Sequence, residues 1–365
     1  MEVNRISEIA IDGSYGEGGG QILRVSISLS AVTGKPVRIY NIRAKRSPSG
    51  LRTQHATAVK AVAQVEDAEV RGLKVGSSEV SFYPKSPKAG DLIFDAGTAA
   101  STTLILQSLM PAMAFSPGRV SVEVRGGTNA PWAPAVDYLQ GVLLPMLSKM
   151  GLKGNVTLIC RGFYPRGGGV VKASVEPVKK LQPIVLTDFG EVKRISGLSY
   201  SSRLPSHVVE RMARSAEQAL KEKGYGNISI GLENLQAGYS KCAIDVGCGI
   251  ILFAELSSGA IVGSDSLGTL GKPAEKVGRE AAMRLLAQLR TKAPVDRHLG
   301  DQLIVYMALA DGYSKIRVSE LTLHTITCIH VSEKIVGAKF EVDGEQGKPA
   351  TIACNGIGLV NCSLS

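Results

Sequence analysis

Two glycine-rich segments and one histidine have the residue types that phosphate chemistry requires. The first segment, GEGGGQILR, spans residues 16–24, and the second, RGFYPRGGGVV, spans residues 161–171. Glycines allow backbone N–H groups to close around an anion, and arginines neutralise its charge. A histidine held beside such a site can attack phosphorus, and His324 in LTLHTITCIHV is the candidate. Together these features favour nucleotide chemistry over binding alone.

The first glycine segment has two interpretations. It could be a tight turn between a strand and a helix, or the helix N-terminus at Gln21 could bind an anion. In the second case Glu17 is suited to be a ligand of Mg²⁺ that carries nucleotide phosphates. Arg24, one helical turn further on, could reach the same anion. The segment matches neither GxxxxGK[ST] nor a complete GxGxxG pattern with a downstream acid.

A basic loop follows the strand expected next along the chain. Its basic and polar side chains, around a Ser-Pro-Ser-Gly stretch, are Arg43, Lys45, Arg46, Arg52, Gln54 and His55. Arginine binds phosphate through two parallel hydrogen bonds. A basic loop can also be merely solvated, but its place at a strand end favours a functional interpretation.

The second glycine segment places Arg161 and Arg166 around three glycines between two strands. It could be a bulged hairpin. We interpret it instead as a binding site for polyphosphate or for an RNA backbone.

His324 is expected on a strand, because the residues around it alternate between two faces. A hydrogen-bonded core histidine is the alternative. His330 would share its face about 20 Å away, too far to share a metal ion. Asp301 is expected to open the preceding helix, where it could orient an imidazole, hold a ribose or only start the helix.

The elements that would position these residues follow a repeated order. The first unit is βαβαββ, and the spacing from Asp12 to Asp95 matches that from Gly34 to Gly118 to within one residue. Equal spacing at equivalent elements indicates an internal repeat. A third copy is expected to be split, with a helix over 301–309 before the strand of His324. Residues 183–293 are typical of a compact inserted α+β domain.

Composition restricts the partners and the compartment. The chain has 365 residues and 42 basic against 32 acidic side chains, a net charge of +10, which suits either a polyanionic partner or a solvated basic surface. No apolar run is long enough to span a bilayer, and the N-terminus lacks the layout of a signal peptide. We therefore expect a cytoplasmic protein, with its six cysteines as free, mostly buried thiols.

The chain resembles the RNA 3′-terminal phosphate cyclase family. The matching motifs, in order along nearly the whole chain, are DGSYGEGGGQILR, IRAKR, GLRTQH, DAGTAASTTLILQ, RGFYPRGGG, DQL and LHTIT. The resemblance implies an α+β fold. Its large domain, residues 1–182 and 294–365, would hold three βαβαββ repeats similar to the C-terminal domain of a bacterial translation initiation factor. Residues 183–293 would form the smaller inserted α+β domain.

The resemblance also implies a ligase-type enzyme that uses ATP to convert an RNA 3′-phosphate into a 2′,3′-cyclic phosphate, releasing AMP and diphosphate. His324 would carry AMP, which then passes to the RNA end. Asp301 would position His324 or the nucleotide, and Glu17 would bind Mg²⁺ or Mn²⁺. The essential polar lining corresponds to Arg24, Arg43, Arg46, Gln54 and His55. The adenine-nucleotide pocket corresponds to Gln107, Arg297, His298, Leu299, Gly300, Asp301 and Gln302.

Three questions stay open at this point. His298 stands where some relatives have an aromatic residue that stacks on the base. A paralogous group that lacks the histidine nucleophile serves in ribosome assembly, and enolpyruvyl transferases resemble the same architecture. The partners expected are an RNA 3′-phosphate end and ATP, without a membrane, and the sequence leaves open whether two copies form a homodimer.

Overall fold

The computed structural model describes residues 8–364. Its strands are β1 (Ile9–Asp12), β2 (Val37–Tyr40), β3 (Glu69–Arg71), β4 (Val80–Tyr83), β5 (Gly90–Asp95), β6 (Val120–Gly126), β7 (Gly154–Cys160), β8 (Gly169–Val175), β9 (Val185–Leu186), β10 (Val192–Ser202), β11 (Ile228–Leu235), β12 (Gly247–Leu256), β13 (Ile261–Leu267), β14 (Tyr313–Val318), β15 (Lys339–Asp343) and β16 (Ala350–Asn355). Its helices are α1 (Gly20–Thr33), α2 (Thr53–Val65), α3 (Thr102–Ala114), α4 (Val136–Tyr138), a π-helical turn (Leu139–Leu143), α5 (Leu144–Lys149), α6 (His207–Lys221), α7 (Ala274–Arg290), α8 (Arg297–Leu309) and α9 (Leu323–Val336).

Three of the sheets share one strand order. They are β1-β2-β4-β3, β5-β6-β8-β7 and β9-β14-β16-β15. In each sheet the first two strands are parallel and the other pairs are antiparallel. Parallel strands need a crossover connection, which is α1 in the first sheet and α3 in the second. The crossover from β9 to β14 ends in α8, and it contains residues 187–296.

A fourth sheet, β11-β10-β12-β13, lies within that long crossover, and α6 and α7 pack against each other and against it. Residues 241–246 form a loop and not a strand. Its backbone carbonyls instead accept hydrogen bonds from the second glycine segment: Lys241 O from Arg161 N at 2.9 Å and Ile244 O from Arg166 Nη2 at 2.8 Å.

The helices that connect the strands of these three sheets pack against one another, and α1 contacts α2, α3 and α9. From Ile22 to Ala31 every residue of α1 is buried except Arg24. A helix that is apolar nearly all round belongs in the core, so Arg24 marks the one side of α1 that faces a polar cleft. The helix expected to start at Gln21 is confirmed to within one residue, and Gly34 ends it in the left-handed conformation with φ 67°.

Two further findings concern membranes and cysteines. Within residues 8–364, no helix combines the length and the apolar character needed to cross a bilayer. All six cysteines are free thiols, as predicted, but only Cys328 and Cys354 are buried, and Cys362 is exposed.

Candidate active site

His324 is the second residue of helix α9, so the prediction of a strand was wrong. Thr322 caps the helix by accepting a hydrogen bond from Thr325 N, and Gly337 ends it in the left-handed conformation with φ 86°. The alternating pattern misled because threonines favour strands, whereas here their hydroxyls bond locally and start a helix. The His324 side chain stays 44% exposed at the cleft, so it is not a core histidine.

The first glycine segment brings a carboxylate to this histidine. Glu17 Oε2 lies 3.3 Å from His324 Nε2 and 3.1 Å from Arg46 Nη2. The approach depends on Gly16, whose φ is 59° and where a Cβ atom would collide with Thr327 Oγ1 on α9. Only glycine fits both requirements, so the segment is a turn that also serves the site.

Asp301 lies in the second turn of α8 and faces the same cleft. It does not open that helix as predicted, because Asp296 is the N-cap and accepts hydrogen bonds from the first-turn N–H groups. Gln21 Nε2 donates to Asp301 Oδ2 at 2.8 Å. Burial raises the pKa of Asp301, and the Gln21 bond and the charges of His324, His298 and Arg24 oppose that rise.

Arg24 and His55 surround the first turn of α1. Burial lowers the pKa of Arg24 to about 10, although the charge of Asp301 opposes it, so Arg24 stays charged at neutral pH. His55 is buried, and burial together with Arg24 and two more arginines lowers its pKa to about 3. His55 Nδ1 accepts from Arg52 N at 3.2 Å. Its Nε2 fills the place that a Cβ on Gly20 would occupy, so this histidine is a neutral hydrogen-bonding group at the helix start.

Arg43 shapes the basic loop. Its Nη1 donates to Pro48 O at 2.7 Å and Gly50 O at 3.1 Å, and its backbone is left-handed with φ 54°. Burial, followed by the charges of Arg52 and Arg46, lowers its pKa. Arg43 therefore stabilises the conformation of the basic loop from within, while Arg46 extends from the loop to Glu17.

A narrow pocket opens beside Asp301 and Arg24, between α1, α3 and α8. It is lined by Gln21, Arg24, Val25, Ser28, Gln107, Ser108, Pro111, Leu143, Asp301, Gln302, Val305, Tyr306 and Cys328. Within residues 8–364, four of the five buried side-chain atoms without a hydrogen-bond partner line this pocket: Ser28 Oγ, Gln107 Nε2, Gln302 Oε1 and Tyr306 Oη. Unpaired buried polar groups are costly, so a ligand with complementary donors and acceptors would relieve that cost.

The predicted nucleotide residues separate into two sets. Gln107, Asp301 and Gln302 line the pocket. The others do not: Gln54 lies by His55, Arg297 pairs with Glu320 at 3.3 Å, His298 is exposed with its ring edge-on to Tyr138, Leu299 is in the core and Gly300 packs on Val318.

Two pocket residues, Ser28 and Tyr306, were missed from the sequence. Each lies four residues after a residue that the sequence did single out, Arg24 and Gln302 respectively. Residues four apart share a helix face, so helical spacing could have found both.

The second glycine segment does not grip an anion, and that interpretation was wrong. Arg161 is fully buried, and its guanidinium makes two 3.0 Å bonds to Asp137 and a 2.5 Å bond to Glu233. Its carbon also lies 4.0 Å from the ring centre of Tyr200. Arg166 is paired with Asp245 at 2.6 Å. Carboxylates of this chain therefore already neutralise both arginines.

The Glu17 carboxylate is suited to a metal ion that is also coordinated by substrate phosphates. Among residues 8–364, no three His, Cys, Asp or Glu side chains are grouped as a complete metal site. Mg²⁺ often takes only one or two protein carboxylates and completes its shell with water and substrate phosphate. Glu17, with a side chain 33% exposed at the cleft, is such a carboxylate.

Fold and cleft define a mixed α and β protein whose polar site lies where loops and helix starts of several units meet. The sequence model of the family described as RNA 3′-terminal phosphate cyclase matches residues 15–342. Curated relatives named RNA 3′-terminal phosphate cyclase include those of Ignicoccus hospitalis, 47% identical over 96% of this chain and 99% of that protein, and Staphylothermus marinus, 48% identical over the same shares. The chain belongs to the RNA 3′-terminal phosphate cyclase family.

The solved structures give a weaker comparison. The enolpyruvyl transferase NikO from Streptomyces tendae aligns with a TM-score of 0.28 at 10% identity, covering 96% of this chain and 66% of that chain. So low a score carries no argument for the enolpyruvyl transferase alternative.

Proposed function

We propose that this protein uses ATP to convert the 3′-terminal phosphate of RNA into a 2′,3′-cyclic phosphate, with His324 as the residue that carries AMP. The observation that carries the proposal is the continuity of one cleft. The pocket with unpaired polar atoms ends at Arg24 and Asp301. The charge of His324 acts to lower the pKa of Asp301, against the effect of burial, and His324 in turn contacts Glu17. Family membership and the names of the curated relatives support the same reaction.

In the first step a ring nitrogen of His324 attacks the α-phosphorus of ATP. An N–P bond forms, the bond from the α-phosphorus to the bridging oxygen breaks, and diphosphate leaves. The substituted imidazole is cationic, and the carboxylate of Glu17, 3.3 Å from the ring, stabilises that charge; we assign a similar electrostatic role to Asp301. Nε2 is the nitrogen that faces Glu17 and the glycine segment, so it is the atom we assign to the attack.

In the second step an oxygen of the RNA 3′-phosphate attacks the same phosphorus. A P–O bond forms, the N–P bond breaks and His324 is free again.

In the third step the neighbouring ribose 2′-oxygen loses its proton and attacks the RNA phosphorus, and AMP leaves. A bare phosphate is a poor electrophile, and the attached AMP supplies the leaving group. Arg24 and Arg46 are the cations nearest the reacting phosphates.

We assign the nucleotide base to the pocket of Ser28, Gln107, Gln302 and Tyr306, because of their unpaired polar atoms. An adenine ring presents both donors and acceptors, and these side chains supply an amide N–H, a carbonyl oxygen and two hydroxyls. Glu17 would hold Mg²⁺ or Mn²⁺, which when bound neutralises phosphate charge and polarises the phosphoryl group. The neutral His55 and its neighbour Gln54 offer hydrogen bonds without further charge.

The architecture supports the same assignment at a coarser level. The shared strand order of three sheets supports three βαβαββ repeats, and the long crossover supports an inserted α+β domain between β9 and α8. Because β9 pairs with β14 of the third sheet, we place the start of the insertion after Leu186 instead of at residue 183.

The experiment is to incubate the protein with ATP, Mg²⁺ and a 5′-labelled oligoribonucleotide ending in a 3′-phosphate. A cyclic end resists phosphatase, so the proposal predicts a phosphatase-resistant product that requires ATP. An oligonucleotide with a 2′-deoxy terminal ribose is the matched control: it lacks the attacking 2′-oxygen, so it should stop at the AMP-capped end, which α-labelled ATP marks, whereas the cyclic product carries no AMP. Tight RNA binding with no ATP-dependent product would instead favour the non-enzymatic role of the ribosome-assembly paralogues.

A further inference from the structure

The first glycine segment runs along one side of helix α9 in the opposite direction to the helix. Three contacts follow one another: Tyr15 with His330, Gly16 with Thr327 and Glu17 with His324. Successive helix residues of this set are three positions apart, so each is adjacent to the next, and the row of contacts turns by about 60° around the helix at each step. The segment that presents Glu17 to His324 therefore presents Tyr15 further along the same helix.

Tyr15 and His330 form an aromatic stack at the surface. Their ring centres are 3.9 Å apart and their planes differ by 15°. Tyr15 is 38% exposed, although aromatic side chains gain most by burial. Stacking on His330 fixes the orientation of the Tyr15 ring, so little side-chain freedom remains to be lost when a further ring binds.

The position of this stack suits the end of an RNA strand. The helix rises 1.5 Å per residue, so the six residues from His324 to His330 span about 9 Å, a distance that a terminal nucleotide can bridge. Cations lie along the route: Arg46 bonds Glu17, Lys45 packs on Gly18, and Lys334 is close enough to His330 for its charge to act on it. Exposed aromatics beside cations are the usual elements of single-strand binding.

We propose that Tyr15, stacked on His330, is a platform for the base at the RNA 3′ end, holding that base so that its terminal phosphate reaches His324. The inference rests on the proposed function, because it assigns part of that reaction's RNA substrate. Every base has a flat face, so the platform accepts any terminal base with little preference. The alternative is that the stack only holds the glycine segment, and hence Glu17, in place.

The test compares Tyr15→Leu with Tyr15→Phe, because leucine keeps apolar bulk and phenylalanine also keeps the stacking face. Binding of a 5′-fluorescent oligoribonucleotide with a 3′-phosphate is measured by anisotropy without ATP. A second oligonucleotide lacks only the terminal base. Labelling of the protein by α-labelled ATP alone is measured in parallel. Tyr313→Ala removes an exposed tyrosine at the far end of β14 as a control.

The platform predicts that Tyr15→Leu weakens binding of the complete oligonucleotide about five- to 150-fold, the range expected for loss of one stacked base. Binding of the oligonucleotide without its terminal base does not change, and Tyr15→Phe behaves as wild type. Equal losses for both oligonucleotides overturn the platform, as does a loss of protein labelling by ATP that parallels the loss of RNA binding. If wild-type protein takes no label but RNA binding still depends on Tyr15, the proposed reaction fails and the platform stands.

Discussion

The position of His324 depends on small residues as much as on charged ones. Gly16 lets Glu17 reach the imidazole, and Gly20 leaves room for His55 at the start of α1. The two carboxylates of the cleft, Glu17 and Asp301, have the cations Arg46 and Arg24 near them. The site therefore holds opposite charges close together, and a triphosphate would have to enter between them.

The variant Glu17→Ala tests the assignment of Glu17 to the metal ion. The variant should require a higher concentration of Mg²⁺ or Mn²⁺ for labelling of the protein by α-labelled ATP, because it lacks the carboxylate we assign to the metal. A metal titration of the labelling rate measures this. Glu79→Ala, which removes a carboxylate paired with Arg38 on the outer surface, is the control. An unchanged metal requirement in Glu17→Ala would remove it from that role.

The sequence was most informative about single residues of unusual type. Glu17, Arg24, Asp301 and His324 were found from glycine-rich neighbours, charge and resemblance, and the structure brings them to one cleft. Arg161 was misjudged because its carboxylate partners Asp137 and Glu233 lie far away in the chain, and local sequence cannot show that an arginine is already neutralised.

At the scale of elements, type was predicted well where apolar periodicity is long and poorly where threonines alternate. The helix expected to start at Gln21 and the helix expected over 301–309 correspond to α1 and α8. Helix α9 was taken for a strand because its threonines alternate with apolar residues around His324, and capping by Thr322 was missed. Its correction changes the site, since six residues of helix rise only about 9 Å, whereas six residues of strand span about 20 Å.

Helix α2 ends at a buried acid that predicts a pH dependence. Burial raises the pKa of Glu66 from 4.5 to about 8. Between these values the folded protein keeps a proton that the unfolded chain has lost, so this contribution to stability is complete below pH 4.5 and is lost as the pH rises to 8. Glu66→Gln should match wild type near pH 4.5 and exceed it at pH 8 by a few kcal/mol, at roughly 1.4 kcal/mol per pKa unit.

Urea unfolding at a series of pH values measures that difference. Glu69→Gln is the matched control, because Glu69 is exposed and paired with Arg71. A constant difference between Glu66→Gln and wild type from pH 4.5 to 8 would show that Glu66 titrates normally.

At the scale of the whole molecule, the second glycine segment joins parts that the chain separates. Arg161 follows β7 of the second sheet, and its partners are Asp137 on α4, Glu233 on β11 and Tyr200 on β10. The segment between β9 and α8 is thus tied to the second sheet by a buried cation, in addition to the bonds from Arg161 N and Arg166. Sequence spacing predicts a repeat and an insertion, but it does not predict this connection.

Replacing Arg161 by methionine should lower the free energy of unfolding by about 3–5 kcal/mol, because the buried Asp137 and the half-buried Glu233 lose their partner. Arg166→Met, which breaks the exposed pair with Asp245, should cost about 1 kcal/mol or less. Chemical unfolding of the two variants against wild type makes the comparison. Similar small losses for both would mean that Arg161 does not hold the inserted segment in place.

The most direct measurement of the central claim is covalent labelling with α-labelled ATP and Mg²⁺ in the absence of RNA. We expect the protein to carry a label that acid removes and alkali does not, as for a phosphorus–nitrogen bond. His324→Ala should abolish the label, and His207→Ala, which removes an exposed histidine of α6, should retain it. Undiminished labelling of His324→Ala would show that His324 does not carry AMP.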